Sequence, residues 1–557
     1  MNVLSHFRGR PLVSMGRTVD RLEHANIAWP CLLCGPQTKG DFSRAQLKKG
    51  RGNGICALCS TREAPAAAAE RQLPEPSQPP ARRAKSVAAA AAIAYSFEPL
   101  PHNSWHNLLD LRTDSIRQQP PTPASHASAA LEAERLRAVR DLAGSFWQHC
   151  GVLGEAKWYQ YYENWLWACR GAQAAEDESV VPVIPRLPSP HGGGDDGATS
   201  PASPSPAQTE LARRLEHKGL SAAAARTACD ALADKAAALC AHLDALSAAD
   251  CDSAKGEESS KRLPERGAKG KRKRTDGQEA SQAVVATREA ADPSSVHLSC
   301  GDVSVPVRET ILHKLWALYA SVHASVHASV QAAAVDAETT ACFLEAAFCV
   351  LARCLALQGG HIAAGGMQLA CPRAVFDTLR ADLGVSSELF ASPLNCRYAR
   401  FCSASVDVDA RFGSHGSFFR YTPTSGAFLA NPPFDPLMVI AMARRMERLL
   451  AAADAAQLNL TFVITMPHWQ MPRGPHLPAW QALRNSAHNT FACVLAKGKH
   501  LYVDQQGRSS PSRHETSVML LQSREAARRV PFTEAMQMRL CKAFAMRDAE
   551  DVLMKLC

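Results

Sequence analysis

Apolar positions recur with a helical period over two long stretches of the first half of the chain. Between residues 129 and 172 they include Leu136, Val139, Leu142 and Phe146, then Trp158, Tyr161, Tyr162, Trp165 and Trp167. That spacing predicts a helical segment whose aromatic stripe faces a core. A second, alanine-rich helix is expected over 210–249. The intervening stretches lose this periodicity: residues 64–92 turn to Ala, Pro, Glu and Arg, 182–208 to Pro, Ser, Gly and Asp, and 250–293 to charged and small residues. Such compositions cannot bury enough apolar surface to offset chain ordering, so the first reads as a linker and the other two as disordered linkers.

From 294 to 545 helix and strand patterns alternate, which predicts an α/β domain. Helices are expected over 339–357, with Phe343, Ala346, Phe348, Val350 and Leu351, over 372–383 and over 436–453. The run 460–465 reads as a short buried strand. Strand, loop, helix and strand in this order predict a doubly wound sheet, whose ligands sit at the carboxyl ends of the strands.

Composition refines this picture. Of 557 residues 46% are hydrophobic and 21% charged, which excludes a wholly disordered or fibrous chain. No run of eighteen apolar residues occurs, so no membrane partner is expected, and the start lacks the apolar stretch of a secretory signal. A formal charge of +9 suits an acidic or nucleic-acid partner without establishing one. The cluster Lys269-Gly-Lys-Arg-Lys-Arg274 reads as an import signal, and a nuclear location is expected. His323 and His327 fall at i and i+4 in a repeated four-residue unit that reads better as a duplicated tract than as a metal site.

Nineteen cysteines without an export signal point to thiols or metal ligands, not disulfides. Cys31 and Cys34, and Cys56 and Cys59, form two Cys-x2-Cys pairs, each offering two sulfurs to one ion. A structural zinc site is expected within a module spanning 25–63. With Phe42-Ser43 and Gln46-Leu47 between the pairs, this module resembles the zinc domain of an adaptor that links RNA interference to heterochromatin. The resemblance implies a binding module for a protein partner.

Asn431-Pro432-Pro433-Phe434 carries the clearest chemistry. An exocyclic adenine amine is a poor nucleophile because its lone pair is delocalised into the ring. A carboxamide oxygen and a backbone carbonyl can each accept one of its N–H bonds and hold the nitrogen in line with an electrophilic methyl. Asn431 and the Pro432 carbonyl suit those roles, Pro433 stiffens the loop, and Phe434 offers a face for the base.

The blocks Phe390-Ala-Ser-Pro-Leu-Asn395, Phe401-Cys-Ser-Ala404, Asp407, Asp409, Phe412-Gly-Ser414 and Ser425-Gly426 precede this tetrapeptide. Phe462-Val-Ile464, Pro467-x-Trp469 and 514–521 follow it. In order and spacing they resemble the phosphorylated-CTD-interacting-factor family of cap-specific adenosine N6-methyltransferases. The resemblance implies a Rossmann-like, S-adenosylmethionine-dependent domain acting on N6 of the 2′-O-methyladenosine beside the cap of messenger RNA. It assigns adenine binding to Asn431, Pro432, Pro433 and Phe434. The cofactor would fall to Ala391, Ser392, Pro393, Asn395, Asp409, Phe412, Gly413 and Ser414, with backbone amides offered around Ser392 and ribose hydroxyls bound at Asp409. Methylation of an adenine in other RNA or in DNA, and a silent RNA-binding adaptor, are the alternatives. Departures are Asp435-Pro-Leu437 after the motif and His468 before Trp469. No WW domain is read from the chain either: Trp147 and Trp167 have nearly the right separation, but Arg170 stands where proline is needed. Binding of the polymerase tail is therefore not expected.

Overall fold

The computed structural model describes residues 29–31, 35–37, 93–95, 97, 108–110, 127–153, 158–176, 183–187, 205–260, 283–289, 292–323, 336–361, 368–469, 477–505 and 507–545. The chain divides into two compact units, residues 1–78 with 214–221, and 79–213 with 222–557. In the first, β1 (Trp29–Cys31) pairs antiparallel with β2 (Gly35–Gln37). Cys31 ends β1, whereas Cys34, Cys56 and Cys59 lie outside the described residues. The linker 64–92, the cluster 269–274 and His327 lie outside them as well.

The second unit opens with β3 (Ile93–Ala94) and a helical layer. The expected segment 129–172 is two helices, α1 (Ala129–Cys150) and α2 (Trp158–Glu176), with a 3-10 turn at Gly151–Leu153 after the first. Leu136, Val139, Leu142 and Phe146 are buried on α1, and the Phe146 ring centroid is 5.3 Å from Tyr162 and 5.5 Å from Trp165 on α2. The expected helix over 210–249 is likewise two, α3 (Pro206–His217) and α4 (Ala222–Ser260), with Gly219 at φ +99° between them. Alanine-rich sequence carries α4 into a stretch whose polarity reads as linker, because helix propensity does not require an apolar face.

An antiparallel sheet, absent from the sequence-based expectation, follows. β4 (Val285–Glu289), β5 (Asp292–Cys300) and β6 (Val303–Arg308) join β3 in the order β3-β4-β5-β6. Val296, Leu298 and Cys300 alternate inward along β5, opposite Val303, Val305 and Val307 of β6. Two helices pack behind it, α5 (Glu309–Val322) and α6 (Ala337–Leu357). By length and composition α6 could cross a membrane, yet every residue from Phe343 to Leu357 except Glu345 is buried within the protein.

The larger sheet positions the candidate site. Its elements are α7 (Arg373–Leu383), β7 (Ser387–Glu388), α8 (Val406–Asp409), β8 (Gly426–Ala430), α9 (Pro436–Ala455), β9 (Leu460–Pro467), α10 (Pro478–Arg484), β10 (Asn489–Leu495), β11 (Leu501–Val503), β12 (Ser509–Pro511) and β13 (Thr516–Gln522). They are followed by α11 (Arg524–Arg529) and α12 (Glu534–Phe544). The sheet order is β10-β13-β9-β8-β7, with β7, β8 and β9 parallel and β13 antiparallel to both its neighbours. Parallel bridges from Glu388 to Phe401 and from Phe401 to Ser414 extend it beyond β7. Both faces are covered, which explains the near-continuous apolar runs of β8 and β9. Phe428, Ala430, Phe462 and Ile464 pack with α9 on one face, and Ala427, Leu429 and Val463 with α7 and α12 on the other.

Candidate active site

The carboxyl ends of β7 and β8 frame a small cleft lined by Ala370, Cys371, Phe376, Glu388, Phe390, Asn395, Leu429 and Asn431. It combines apolar walls with a few polar atoms, the mixed lining of a ligand site. Asn431 is the first residue beyond β8. Its carboxamide is held at both ends: Nδ2 donates to the Leu369 carbonyl at 2.6 Å, and Oδ1 accepts from the Thr465 hydroxyl at 2.9 Å. Pro432 is buried. The Pro433 carbonyl accepts from the Asp435 amide at 2.8 Å, and among the described residues no protein donor is bonded to the Pro432 carbonyl. Asp435 caps α9 by accepting from the Met438 amide at 2.9 Å, and Pro436 starts that helix. The chain is thus turned sharply out of the strand at this motif. The half-buried Phe434 ring lies edge-on to Tyr502 at 6.5 Å.

The loop after β7 is tied into itself. The Ser392 amide donates to Asn395 Oδ1 at 2.7 Å, the Ala391 amide to the Cys402 carbonyl at 2.9 Å, and Asn395 Nδ2 to the Gln368 carbonyl at 3.2 Å. Pro393 accepts from the Cys396 thiol, and Lys314 Nζ donates to the Leu394 carbonyl at 2.9 Å. The expectation that amides around Ser392 are offered to a cofactor is not met at Ala391 and Ser392, because both are consumed within the protein.

Residues 409–414 do not line the cleft. Asp409 is buried, and burial pushes its carboxyl up to about 7 against the hydrogen bond from Ser403. Phe412 is a core ring 5.9 Å from Tyr319. Gly413, at φ +96°, closes a 3-10 turn so near the Ala399 carbonyl that a Cβ would lie 2.5 Å from its oxygen. Ser414 shares a 2.7 Å hydrogen bond with Ser403 and accepts from the Gly416 amide at 3.0 Å. The structure therefore brings Asn395 and Asn431 together and gives Phe412, Gly413 and Ser414 packing roles behind them.

Two groups at the site, Glu388 in the cleft lining and Thr465 bonded to Asn431, are not singled out by the sequence. Glu388 is buried at the end of β7, where its Oε1 accepts from the Arg397 and Tyr398 amides at 2.6 and 3.1 Å. Burial pushes its carboxyl up to about 7, opposed by those amides and by Lys314 and Arg397. An acidic residue just before the 389–395 loop was the available signal. Thr465 is fully buried on β9. Only strand register reveals it, since Ala430 pairs with Ile464 and the next residues of the two strands, Asn431 and Thr465, are level.

Residues 314–505 match the family described as phosphorylated CTD interacting factor 1 WW domain. Two curated proteins, from Mus musculus and Homo sapiens, are 33% and 32% identical to this chain over 224 residues, and both are named mRNA (2′-O-methyladenosine-N(6)-)-methyltransferase. This region is thus similar to the phosphorylated CTD interacting factor family. The aligned stretch covers 39% of the chain and 30% of each relative.

The match over 314–505 corrects one expectation. The absence of a WW domain was argued from Trp147 and Trp167, which lie on α1 and α2, whereas the WW match covers 314–505, from α5 through β11. The reading that no WW domain is present, and the exclusion of polymerase-tail binding that rested on it, therefore do not stand. Among the described residues no group of three or more His, Cys, Asp or Glu side chains is arranged to hold a metal ion.

Proposed function

We propose that the chain is an S-adenosylmethionine-dependent methyltransferase of the N6 amine of the 2′-O-methyladenosine beside the mRNA cap. The observation that carries this reading is the Asn431 carboxamide at the carboxyl end of β8, locked with its oxygen as an acceptor and followed by the unbonded Pro432 carbonyl. Two acceptors are what an exocyclic amine with two protons needs. A matching pair would let the nitrogen pyramidalise, take its lone pair out of conjugation with the ring and direct it toward the methyl donor. The names of the relatives aligned with this segment supply the substrate.

S-adenosylmethionine supplies an electrophilic methyl on a sulfonium when bound. The residues at the cleft fit part of such an amphiphilic group: Glu388 offers carboxyl oxygens, and Phe376, Phe390 and Leu429 offer apolar walls. The parallel bridges through Phe401 and Ser414 support a Rossmann-like arrangement, with Glu388 and Asn431 on neighbouring strands at its carboxyl edge. Phe434 would stack on the adenine, a contact of about 1–3 kcal/mol. We take 294–545 as the catalytic domain, acting in the nucleus on capped mRNA.

The test is incubation with labelled methyl donor and a transcript beginning with a cap and 2′-O-methyladenosine, then nucleoside analysis, alongside uncapped RNA and DNA. Label at N6 of the first nucleotide is expected, and Asn431→Ala should lower turnover by at least about a hundredfold. Label only in uncapped RNA or DNA would move the reading to another adenine. No label on any adenine would refute it.

A further inference from the structure

Asn431 works only if its oxygen, and not its nitrogen, meets the substrate amine. Both ends of an amide have nearly the same shape, so this orientation must be enforced by neighbours. One neighbour is the Leu369 carbonyl, 2.6 Å from Nδ2. The other is Thr465, whose single hydroxyl proton goes to Oδ1 at 2.9 Å. With that proton committed, the Cys371 thiol 3.8 Å away acts as donor to the threonine oxygen. The chain of donors therefore runs from Cys371 through Thr465 to Asn431.

Thr465 reaches Asn431 because of sheet register. Ala430 and Ile464 pair on adjacent parallel strands and pack on the same face, so the next residues, Asn431 and Thr465, share the other. Every residue of β9 is buried. A hydroxyl there needs a partner, and Asn431 Oδ1 provides it. Turning the carboxamide over would bring its oxygen against the Leu369 carbonyl, two acceptors with no proton between them. An amide oxygen has two lone pairs, so Thr465 occupies one and leaves the other for the substrate.

We infer that Thr465 is a positioning residue for methyl transfer, which holds the Asn431 carboxamide with its oxygen presented to the reacting amine. This rests on the adenine-N6 reading of the cleft. It acts through Asn431 and touches no reacting atom.

The test uses the full chain in three forms: wild type, Thr465→Val, which keeps the shape and removes the hydroxyl, and Thr465→Ser, which restores the hydroxyl and removes the methyl. Losing one orienting hydrogen bond is expected to lower kcat about tenfold in Thr465→Val with KM for capped RNA unchanged, and Thr465→Ser should recover to within about twofold. Nitrogen-15 labelling of asparagine gives a readout independent of activity. Hydrogen exchange of the Asn431 side-chain amide should quicken by at least about fivefold in Thr465→Val and return in Thr465→Ser. Quickened exchange without methyl transfer by any form, wild type included, would refute the adenine reading while supporting the positioning role. Unchanged exchange in Thr465→Val, or equal losses of kcat in both variants, would overturn the inference.

Discussion

Arg353→Met probes the charged knot behind the cleft. Arg353, on α6, is 3% exposed and grips two carboxylates at once: Glu132 at 2.6 and 2.8 Å, and Asp407 at 3.0 and 2.7 Å. Glu132 is wholly buried in the first turn of α1, and Asp407 opens α8, so one guanidinium fastens the helical layer to the segment that leads to Gly413. Removing one member of a buried pair costs about 3–5 kcal/mol, because the remaining charge has lost both water and partner. Arg135 stays bonded to Glu132 and lies 3.9 Å from Asp407, so part of the charge remains compensated. The expected loss is therefore about 3 kcal/mol, read as a lower urea midpoint at pH 7.

The same knot has a pH signature. Burial would raise the Asp407 carboxyl, but the Arg353 guanidinium outweighs it and holds the group below the usual carboxylate range. A folded value below the unfolded one, about 3.9, means stability that is present above that pH and is lost as pH falls through the folded value. Arg353→Met should therefore flatten the acid limb of the stability curve. A loss under about 0.5 kcal/mol at pH 7, with the acid limb unchanged, would show that the pair behaves as an exposed one and refute the reasoning.

Three further outcomes follow from the fold. Glu388 is raised by burial to about 7, so the fold favours its protonated form: stability is greatest below the unfolded value, about 4.3, and declines as pH rises to about 7. Glu388→Gln should remove that decline in a denaturation series from pH 4 to 8, and a parallel decline in the variant would contradict it. Gly413→Ala, at φ +96° with a Cβ 2.5 Å from a backbone oxygen, should cost about 3 kcal/mol by urea denaturation. Gly384→Ala, at φ +71° in open space, should cost only about 1 kcal/mol.

The elements written in local pattern were legible along the chain. The expected helices 339–357, 372–383 and 436–453 are α6, α7 and α9 to within two residues, and the strand read over 460–465 runs two residues further. Asn431–Phe434 could be read because its chemistry lies in four consecutive residues. Amphipathic period, proline and capping residues act over one or two turns, and a linear string contains them. The antiparallel sheet was not legible, since its strand β3 comes nearly two hundred residues before β4 and pairs Ile93 with Arg288.

The amino-acid order by itself determined helices α6, α7 and α9, the strand β9 and the tetrapeptide that could hold an amine. Tertiary structure alone decided that Glu388 and Thr465 join Asn431, that the Ala391 and Ser392 amides are consumed, and that Phe412–Ser414 pack behind the cleft. The physical reason is that hydrogen-bond partners and desolvation depend on distance in space. Strand register brings Thr465 to Asn431 across thirty-four positions, and burial raises Glu388, and neither quantity exists until the sheet has formed.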